Sequence, residues 1–245
     1  MSVNLWVDEE HAIAYLRARE SLPHRVDALE ALCELLPARV DRVLDLGTGD
    51  GVTLGLVLSA RPGATGVGLD FGEEMLRRAR ERFAGDDRVE IGRHDLDEAL
   101  PSSLDEFDLV VSSFAIHHCA PERQRALYAE VFEILRPGGR FVNAEHVASP
   151  TEELHHEFLA ALGRTPDDDD PSNQLVAVER HVAWLYELGF TNCDCFWKWR
   201  ELAVVAGTKP EAASRARLPR AGTIGPARRL KEPDTTFRDD PAEDV

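Results

Sequence analysis

The segment Val43-Leu44-Asp45-Leu46-Gly47-Thr48-Gly49-Asp50-Gly51, followed by an acid at Asp70, holds the residues best suited to bind a polar ligand. An apolar run that carries an acid and ends in three alternating glycines reads as a buried strand, a tight turn and a helix start. Glycine in that turn permits positive φ and lets a ligand approach the backbone with no Cβ in the way. Asp70 closes a second apolar run, Ala64 to Leu69, where a carboxylate can accept both hydroxyls of a ribose. Each acid taken alone has a plainer use. Asp45 could cap the turn, and Asp70 the helix that begins near Gly72. The spacing of roughly 20 residues between glycine loop and second acid favours a nucleoside-containing ligand.

The glycine spacing then selects among such ligands. Dinucleotide sites use G-x-G-x-x-G with the pyrophosphate on the helix N-terminus. Here the pattern is Gly47-x-Gly49-x-Gly51, with Asp45 two residues before the first glycine. A carboxylate at the strand tip repels a pyrophosphate but can hold an ammonium group, directly or through water. The expected ligand therefore carries a ribose and a cationic amino-acid end, and S-adenosylmethionine has both.

Further segments follow in a recognisable order. They are Gly68-Leu69-Asp70-Phe71, His94-Asp95-Leu96, Phe107-Asp108-Leu109-Val110-Val111-Ser112-Ser113 and Leu135-Arg136-Pro137-Gly138-Gly139-Arg140-Phe141. With the glycine loop they give five segments, and residues from about Val40 to Lys209 resemble a class I S-adenosylmethionine-dependent methyltransferase. The resemblance is to the small-molecule branch, whose core is similar to that of the wobble-uridine tRNA-modifying group. It implies S-adenosylmethionine as cofactor, with Asp45 at the methionine ammonium and Gly47, Thr48 and Gly49 at the close backbone passage. It further implies Asp70 at the ribose, Phe71 against the adenine face, and Asp95 and Leu96 at the adenine edge. Ser112, at the end of the fourth strand, would face the methionine part through its backbone.

In such an enzyme the donor methyl is already activated, so alignment of the acceptor supplies most of the acceleration. A base is needed only where the acceptor must lose a proton. His117 and His118, just beyond the fourth strand, and His146, at the end of the fifth, are the candidates, since imidazole titrates near neutrality. Their plainer role is to shape the pocket. Glu145 is adjacent to His146, and period-two alternation points the two to opposite faces.

The elements that must position these residues alternate along the chain. Apolar and β-branched runs mark strands at 42–47, 64–70, 88–93, 107–113 and 139–146, with helical patterns at 51–60, 73–84 and 121–135 between them. Such alternation predicts right-handed crossovers and a doubly wound, mostly parallel α/β sheet, Rossmann-like, covered on both faces. Pro137-Gly138-Gly139 stops the helix that ends near Leu135. Helices are expected again at 151–162 and 178–188. Two strand-like runs, 193–199 and 202–208, are joined too tightly for a crossover and should pair antiparallel. The resemblance makes them the last two of seven strands, the final one antiparallel. Trp197 and Trp199 flank Lys198 and share one sheet face, where core packing is their expected role.

Three regions are expected: an N-terminal helical cap (1–36), the methyltransferase domain (37–209, with a cap insertion at 147–180) and a flexible tail (210–245). In the cap, Leu22, Val26, Leu29, Leu32 and Leu36 recur at helical spacing, and Tyr15, Arg19, His24 and Arg25 could line the pocket. The four aspartates 167–170 should form an exposed loop, since consecutive carboxylates do not converge as metal ligands do.

Composition narrows the function classes. With 43% hydrophobic and 30% charged residues the 245-residue chain reads as a globular protein. The net charge of −17 lies wholly within residues 1–209, because acids and bases balance after Pro210. An acidic body lacks the footprint of a nucleic-acid binder. No run approaches the roughly 20 apolar residues of a membrane span, and Met1 to Glu10 shows no basic leader. Cys33, Cys119, Cys193 and Cys195 have neither metal nor disulfide spacing. The expectation is a cytoplasmic, monomeric or homodimeric enzyme that methylates a small molecule, with no metal, membrane or nucleic-acid partner. The alternatives are a tRNA/RNA-modifying S-adenosylmethionine enzyme and a non-catalytic S-adenosylmethionine-binding protein.

Overall fold

A computed structural model describes residues 23–104 and 106–211. Seven strands form one sheet in the order β3-β2-β1-β4-β5-β7-β6. They are β1 (Arg42–Leu46), β2 (Thr65–Asp70), β3 (Val89–Arg93), β4 (Phe107–Ser113), β5 (Leu135–His146), β6 (Thr191–Trp199) and β7 (Leu202–Thr208). The first five run parallel, β7 runs antiparallel to β5, and β6 returns antiparallel to β7. The chain builds outward from β1 to β3, then crosses back to place β4 on the other side of β1. That reversal leaves a crevice beyond the carboxyl ends of β1 and β4, where ligands of open α/β sheets bind.

Helices α2 (Val52–Ala60), α3 (Glu73–Arg82) and α4 (Pro121–Ile134) follow β1, β2 and β4, and α6 (Val178–Leu188) precedes the final hairpin. On one face Leu127, Tyr128, Val131 and Phe132 of α4 and Trp184 and Leu185 of α6 cover Leu44, Leu46, Val110 and Phe141. On the other, Leu54 and Val57 of α2 share a core with Val43, Leu109, Val142 and Val204. Central strands covered on both faces have no solvent side to keep polar, so β1 and β4 read as near-continuous apolar runs.

The N-terminal segment departs from expectation. Its described helix, α1 (Arg25–Glu34), buries Ala28 and Leu32 in the second core and lies against β5, β7 and α2. It is therefore part of a sheet-covering layer, and only Arg25, in its first turn, reaches the cavity described below. Of the expected stripe, Leu32 and Leu36 are buried in that core beside Ala28, Leu29 is half-buried, Val26 is 66% exposed and Leu22 lies outside the described residues. The first half of the expected cap, with Tyr15 and Arg19, and the tail beyond Glu211 lie outside the described residues.

Two smaller differences concern turns. Strand β5 begins at Leu135, and Pro137-Gly138-Gly139 lies within its first residues as an irregularity between the Phe107–Leu135 and Leu109–Arg140 pairs. The acidic run is not wholly exposed, since Asp169 and Asp170 turn inward and are half-buried. Within the insertion, α5 (Glu152–Ala161) places Phe158 in the second core, against which Trp197 and Trp199 pack on their shared face.

Candidate active site

The β1 turn is built by backbone geometry that only glycine adopts freely. Gly47 has φ 68° and Gly49 φ 56°. A Cβ on Gly47 would stand 2.2 Å from the Ala115 Cβ, so this glycine also lets the loops after β1 and β4 close on each other. At Gly49 a Cβ would meet nothing within 4 Å, because the position opens onto a cleft.

Asp70 ties this turn to its neighbour. Its Oδ2 accepts the Gly49 N–H at 2.8 Å and its Oδ1 the Gly72 N–H at 2.9 Å. Burial pushes its carboxyl up, and the Gly72, Gly49 and Phe71 amides pull it back. Asp70 thus organises the start of α3 and also lines the cleft.

The cleft contains about 960 Å³ counted out to its open mouth. Its walls come from the carboxyl ends of four adjacent strands: Gly47, Thr48 and Gly49 after β1, Asp70 and Phe71 after β2, His94 to Asp97 after β3, and Ser113 to Ala115 after β4. Phe71 is half-buried and belongs to no core cluster, so its ring serves the cleft. Leu96 serves both, 7% exposed in the first core and on the cleft wall. Two wall atoms, His94 Nε2 and Ser113 Oγ, are buried with no hydrogen-bond partner among the described residues. Orphaned groups of this kind cost about 1–3 kcal/mol each, which a polar ligand would offset.

Two expected contacts fall one layer behind the wall. Asp45 is fully buried, and its Oδ2 accepts the hydroxyl of Thr48, which does line the cleft. Burial drives the Asp45 carboxyl up to about 7, while the Thr48 bond and the Leu54 amide act in the opposite direction. Its Oδ1 nevertheless has no hydrogen bond of normal geometry among the described residues. Ser112 is likewise buried, donating to the Leu46 carbonyl at 2.8 Å, and the neighbour Ser113 takes the wall position. Alternation along a strand puts adjacent residues on opposite sides, so a one-residue offset changes which serine is exposed.

The three histidines part company. His118 lines the cleft, at the end of a short 3-10 turn (Ile116–His118) that follows β4. His117 is buried, with Nδ1 2.5 Å from Glu145 Oε1. Burial lowers the His117 pKa well below the usual range and raises that of Glu145, opposing charge on both. His146 lies outside the cleft, its Nε2 2.9 Å from Glu201 Oε2. Glu145 bonds the His117 ring, and the His146 ring, its centroid 5.5 Å from that of His117, also lies against Phe158. Behind His117, the Glu145 carboxylate accepts from Asn143 Nδ2 at 3.0 Å, and Asn143 also donates to the Tyr128 hydroxyl.

Burial, then the charge of His117, depresses the His118 pKa to about 3, whereas Asp170 and Glu145 favour its protonated form. Its ring centroid lies 4.1 Å from that of His117, and its Nδ1 is 3.1 Å from Ser172 Oγ. Ser172 is the insertion's contribution to the wall. His24 is turned away, paired with Asp27 at 2.6 Å and set against Trp199 with ring centroids 4.4 Å apart. Among the described residues no group of His, Cys, Asp or Glu could hold a metal, and all four cysteines are free thiols.

Sequence reasoning missed Ser113, Phe114, Ala115, Met75 and Ser172 as wall residues. The first of these closes the matched fourth-strand segment and the next two directly follow it, so all three were legible there. Ser172 carries no local signal, because it arrives from a distant loop.

The cleft lies at the switch point of a seven-stranded sheet with one reversed strand. Residues 43–139 match the family described as "Methyltransferase domain". The demethylmenaquinone methyltransferase of Clavibacter sepedonicus is 39% identical over 114 residues, covering 46% of this chain and 44% of that protein. The carboxy-S-adenosyl-L-methionine synthase of Chromohalobacter salexigens is 29% identical over 190 residues, covering 68% of each. A solved O-methyltransferase family protein from Burkholderia thailandensis shares the fold at 19% identity with a TM-score of 0.62, covering 80% of this chain and 57% of that one. The chain thus spans less than half the length of the first of these relatives. No helix among the described residues is long and apolar enough to cross a membrane.

Proposed function

We propose that the protein transfers a methyl group from S-adenosylmethionine to a small-molecule acceptor. The observation that carries this reading is the convergence of the glycine turn, Asp70, Phe71, Asp95 and His118 on one cleft at the carboxyl ends of β1 to β4. When bound, S-adenosylmethionine supplies a methyl group already activated on a sulfonium sulfur.

The residues fit such a group. Gly47 and Gly49 admit close backbone approach, and Asp70 retains acceptor capacity for ribose hydroxyls beside its two amide bonds. Phe71 offers a ring face, Asp95 an acceptor for an exocyclic amine, and Leu96 an apolar wall. Thr48, backed by the buried Asp45, presents the polar end of the turn to an amino-acid moiety. His94 and Ser113 gain partners for their orphaned atoms. His118 is the candidate base on the cleft wall, but burial holds its pKa at about 3, so it is a weak proton acceptor that suits only an acceptor whose own proton is acidic or one with no proton to lose.

An acceptor of modest size suits a cleft bordered by Arg25 of α1 and by the Ser172 loop. The body's negative charge opposes a nucleic-acid substrate. Four free thiols fit a reducing, cytoplasmic setting. The relative named as a demethylmenaquinone methyltransferase supports a small-molecule acceptor. The test is a methyl-transfer assay with labelled S-adenosylmethionine over a panel of phenols, quinols, amines and carboxylic acids. Label transferred to at least one small molecule supports the reading. Transfer to RNA alone would overturn it.

A further inference from the structure

The loop that brings Ser172 to the cleft wall is held by different chemistry on its two sides. Downstream, the Gln174 N–H donates to the His117 carbonyl at 2.8 Å and Gln124 Nε2 to the Gln174 carbonyl at 2.8 Å, bonds that involve no titrating atom. Upstream, Asp169, three residues before Ser172, forms an ion pair with His155 Nε2 of α5 at 3.3 Å. The other nitrogen of the same ring, Nδ1, is 2.9 Å from Oε1 of Glu201, a fully buried residue in the turn between β6 and β7. His155 is thus set between two carboxylates that belong to different elements.

This placement selects the charged ring. An ionised carboxylate only accepts, and a neutral imidazole has one N–H to give. A neutral His155 therefore turns a lone pair on one of the two acids, whereas the imidazolium donates to both. Burial of the ring lowers its pKa, and Glu201 and Asp169 outweigh this and raise it. The other charged groups nearby are engaged elsewhere. From the end of β5, His146 Nε2 meets the second Glu201 oxygen at 2.9 Å, and Ser149 bonds the same carboxylate. On α5, His156 faces Glu152 at 3.8 Å, and Glu157 faces Arg200 at 3.3 Å. In the loop, Asp168 Oδ2 accepts from Thr165, closing a short 3-10 turn (Pro166–Asp168), and Asp170 Oδ1 accepts from Ser172. Among the described residues His155 is the one cation paired with Asp169.

The two contacts are unequal when the ring loses a proton. The Glu201 side chain is fully buried, while that of Asp169 is 36% exposed. Loss of its bond strands Glu201 away from water, whereas Asp169 turns to solvent at little cost. The neutral ring therefore keeps Nδ1–H on Glu201 and gives up the Nε2 proton, leaving the two carboxylates with no cation between them.

We propose that His155 is a proton-operated latch: as the imidazolium it ties loop 163–172, and with it the Ser172 wall of the cleft, to α5 and Glu201, and on deprotonation it releases Asp169 and loosens that wall. The proposal concerns access to the cleft and holds whichever ligand the cleft takes.

The test is amide hydrogen exchange over 163–174 of the full chain, read as protection factors at about pH 5.5 and 8.5, with the His155 ring titration followed by NMR and assigned from His155→Gln. Across that interval an imidazole loses its charge while an ordinary carboxylate keeps its own. Wild-type loop protection is expected to fall about two- to five-fold at the higher pH, the range for a partly exposed ion pair. Its midpoint should match the His155 titration and lie above the ordinary imidazole value of about 6.5. Asp169→Asn, which leaves α5 and the Glu201 bond in place, should show the lower protection at both pH values, and His156→Gln should behave as the wild type. Wild-type protection that is constant with pH would overturn the proposal. So would a fall of equal size in Asp169→Asn, a fall abolished in His156→Gln, or a midpoint that differs from that of His155.

Discussion

The Asp70 carboxylate accepts the Gly49 N–H at 2.8 Å across 21 residues of sequence, joining the turn after β1 to the end of β2. One side chain therefore shapes the glycine turn, starts α3 through Gly72 and faces the cleft. Its loss should be felt in binding and in stability together.

Asp70→Ala is expected to weaken S-adenosylhomocysteine binding by about 1.5–3 kcal/mol, roughly ten- to hundred-fold, the range for a hydrogen bond to a charged group. Asp70→Asn, which keeps an acceptor oxygen, should fall between the two. Titration calorimetry measures both. Equal affinities in all three proteins would reduce Asp70 to a structural tie.

Asp45 predicts a pH-dependent gain in stability. Its pKa rises on folding from 3.8 to about 7, chiefly through burial. A raised folded-state pKa means stability is fully present below the unfolded value and lost as pH climbs through the folded value. Asp45→Asn carries no charge to bury. It should match the wild type near pH 4 and exceed it at pH 8, by at most ~4 kcal/mol for a shift of this size. Thermal melts at the two pH values decide. A variant less stable than wild type at pH 8 would show that the charge is compensated in the fold.

His118 and His146 should behave differently when changed to Gln. The His118→Gln protein is expected to lose methyl transfer while holding S-adenosylhomocysteine nearly as tightly, because His118 lines the cleft but none of the cofactor contacts proposed above falls on it. His146→Gln should retain transfer and lose thermal stability, since it breaks the bond to the buried Glu201. The reverse pattern would move the base to His146.

Glu201 also accepts from His155 at 2.9 Å and so pins α5 to the turn before β7. Burial raises the Glu201 carboxyl, but its bonds to His146, Ser149 and His155 outweigh this and lower it. Burial lowers His155, and the Glu201 and Asp169 carboxylates outweigh that and raise it. The Glu201 contribution is lost as pH falls below its ordinary range near 4.5, and that of His155 as pH rises through its raised value. The stability difference between wild type and Glu201→Gln should therefore be largest between about pH 5 and 6.5, the ordinary carboxylate and imidazole values bounding the window. A difference that does not vary with pH would contradict the pairing.

Most of the sheet was legible because each central strand is apolar and each crossover helix has glycine or proline punctuation. The cleft residues that follow the strands, from Gly47 to Leu96, were legible for the same reason. What escaped depended on tertiary placement. The helical spacing of Val26, Leu29, Leu32 and Leu36 announces a buried face but not which of them it holds, since Val26 is exposed, nor whether a sheet or a ligand pocket receives it. The depth of Asp45 is set by Thr48 folding over it, and the choice of Ser113 over Ser112 by where β4 stops. Asp170 and Ser172 read as loop polar residues until the loop is brought against His118.

This cleft should take a ribose-bearing ligand with an amino-acid end and refuse a pyrophosphate. Calorimetric titration of the wild type with S-adenosylhomocysteine and, separately, with NAD tests it most directly. Saturable one-site binding of S-adenosylhomocysteine with no heat from NAD is the expected result. Saturable NAD binding that S-adenosylhomocysteine fails to displace would contradict it.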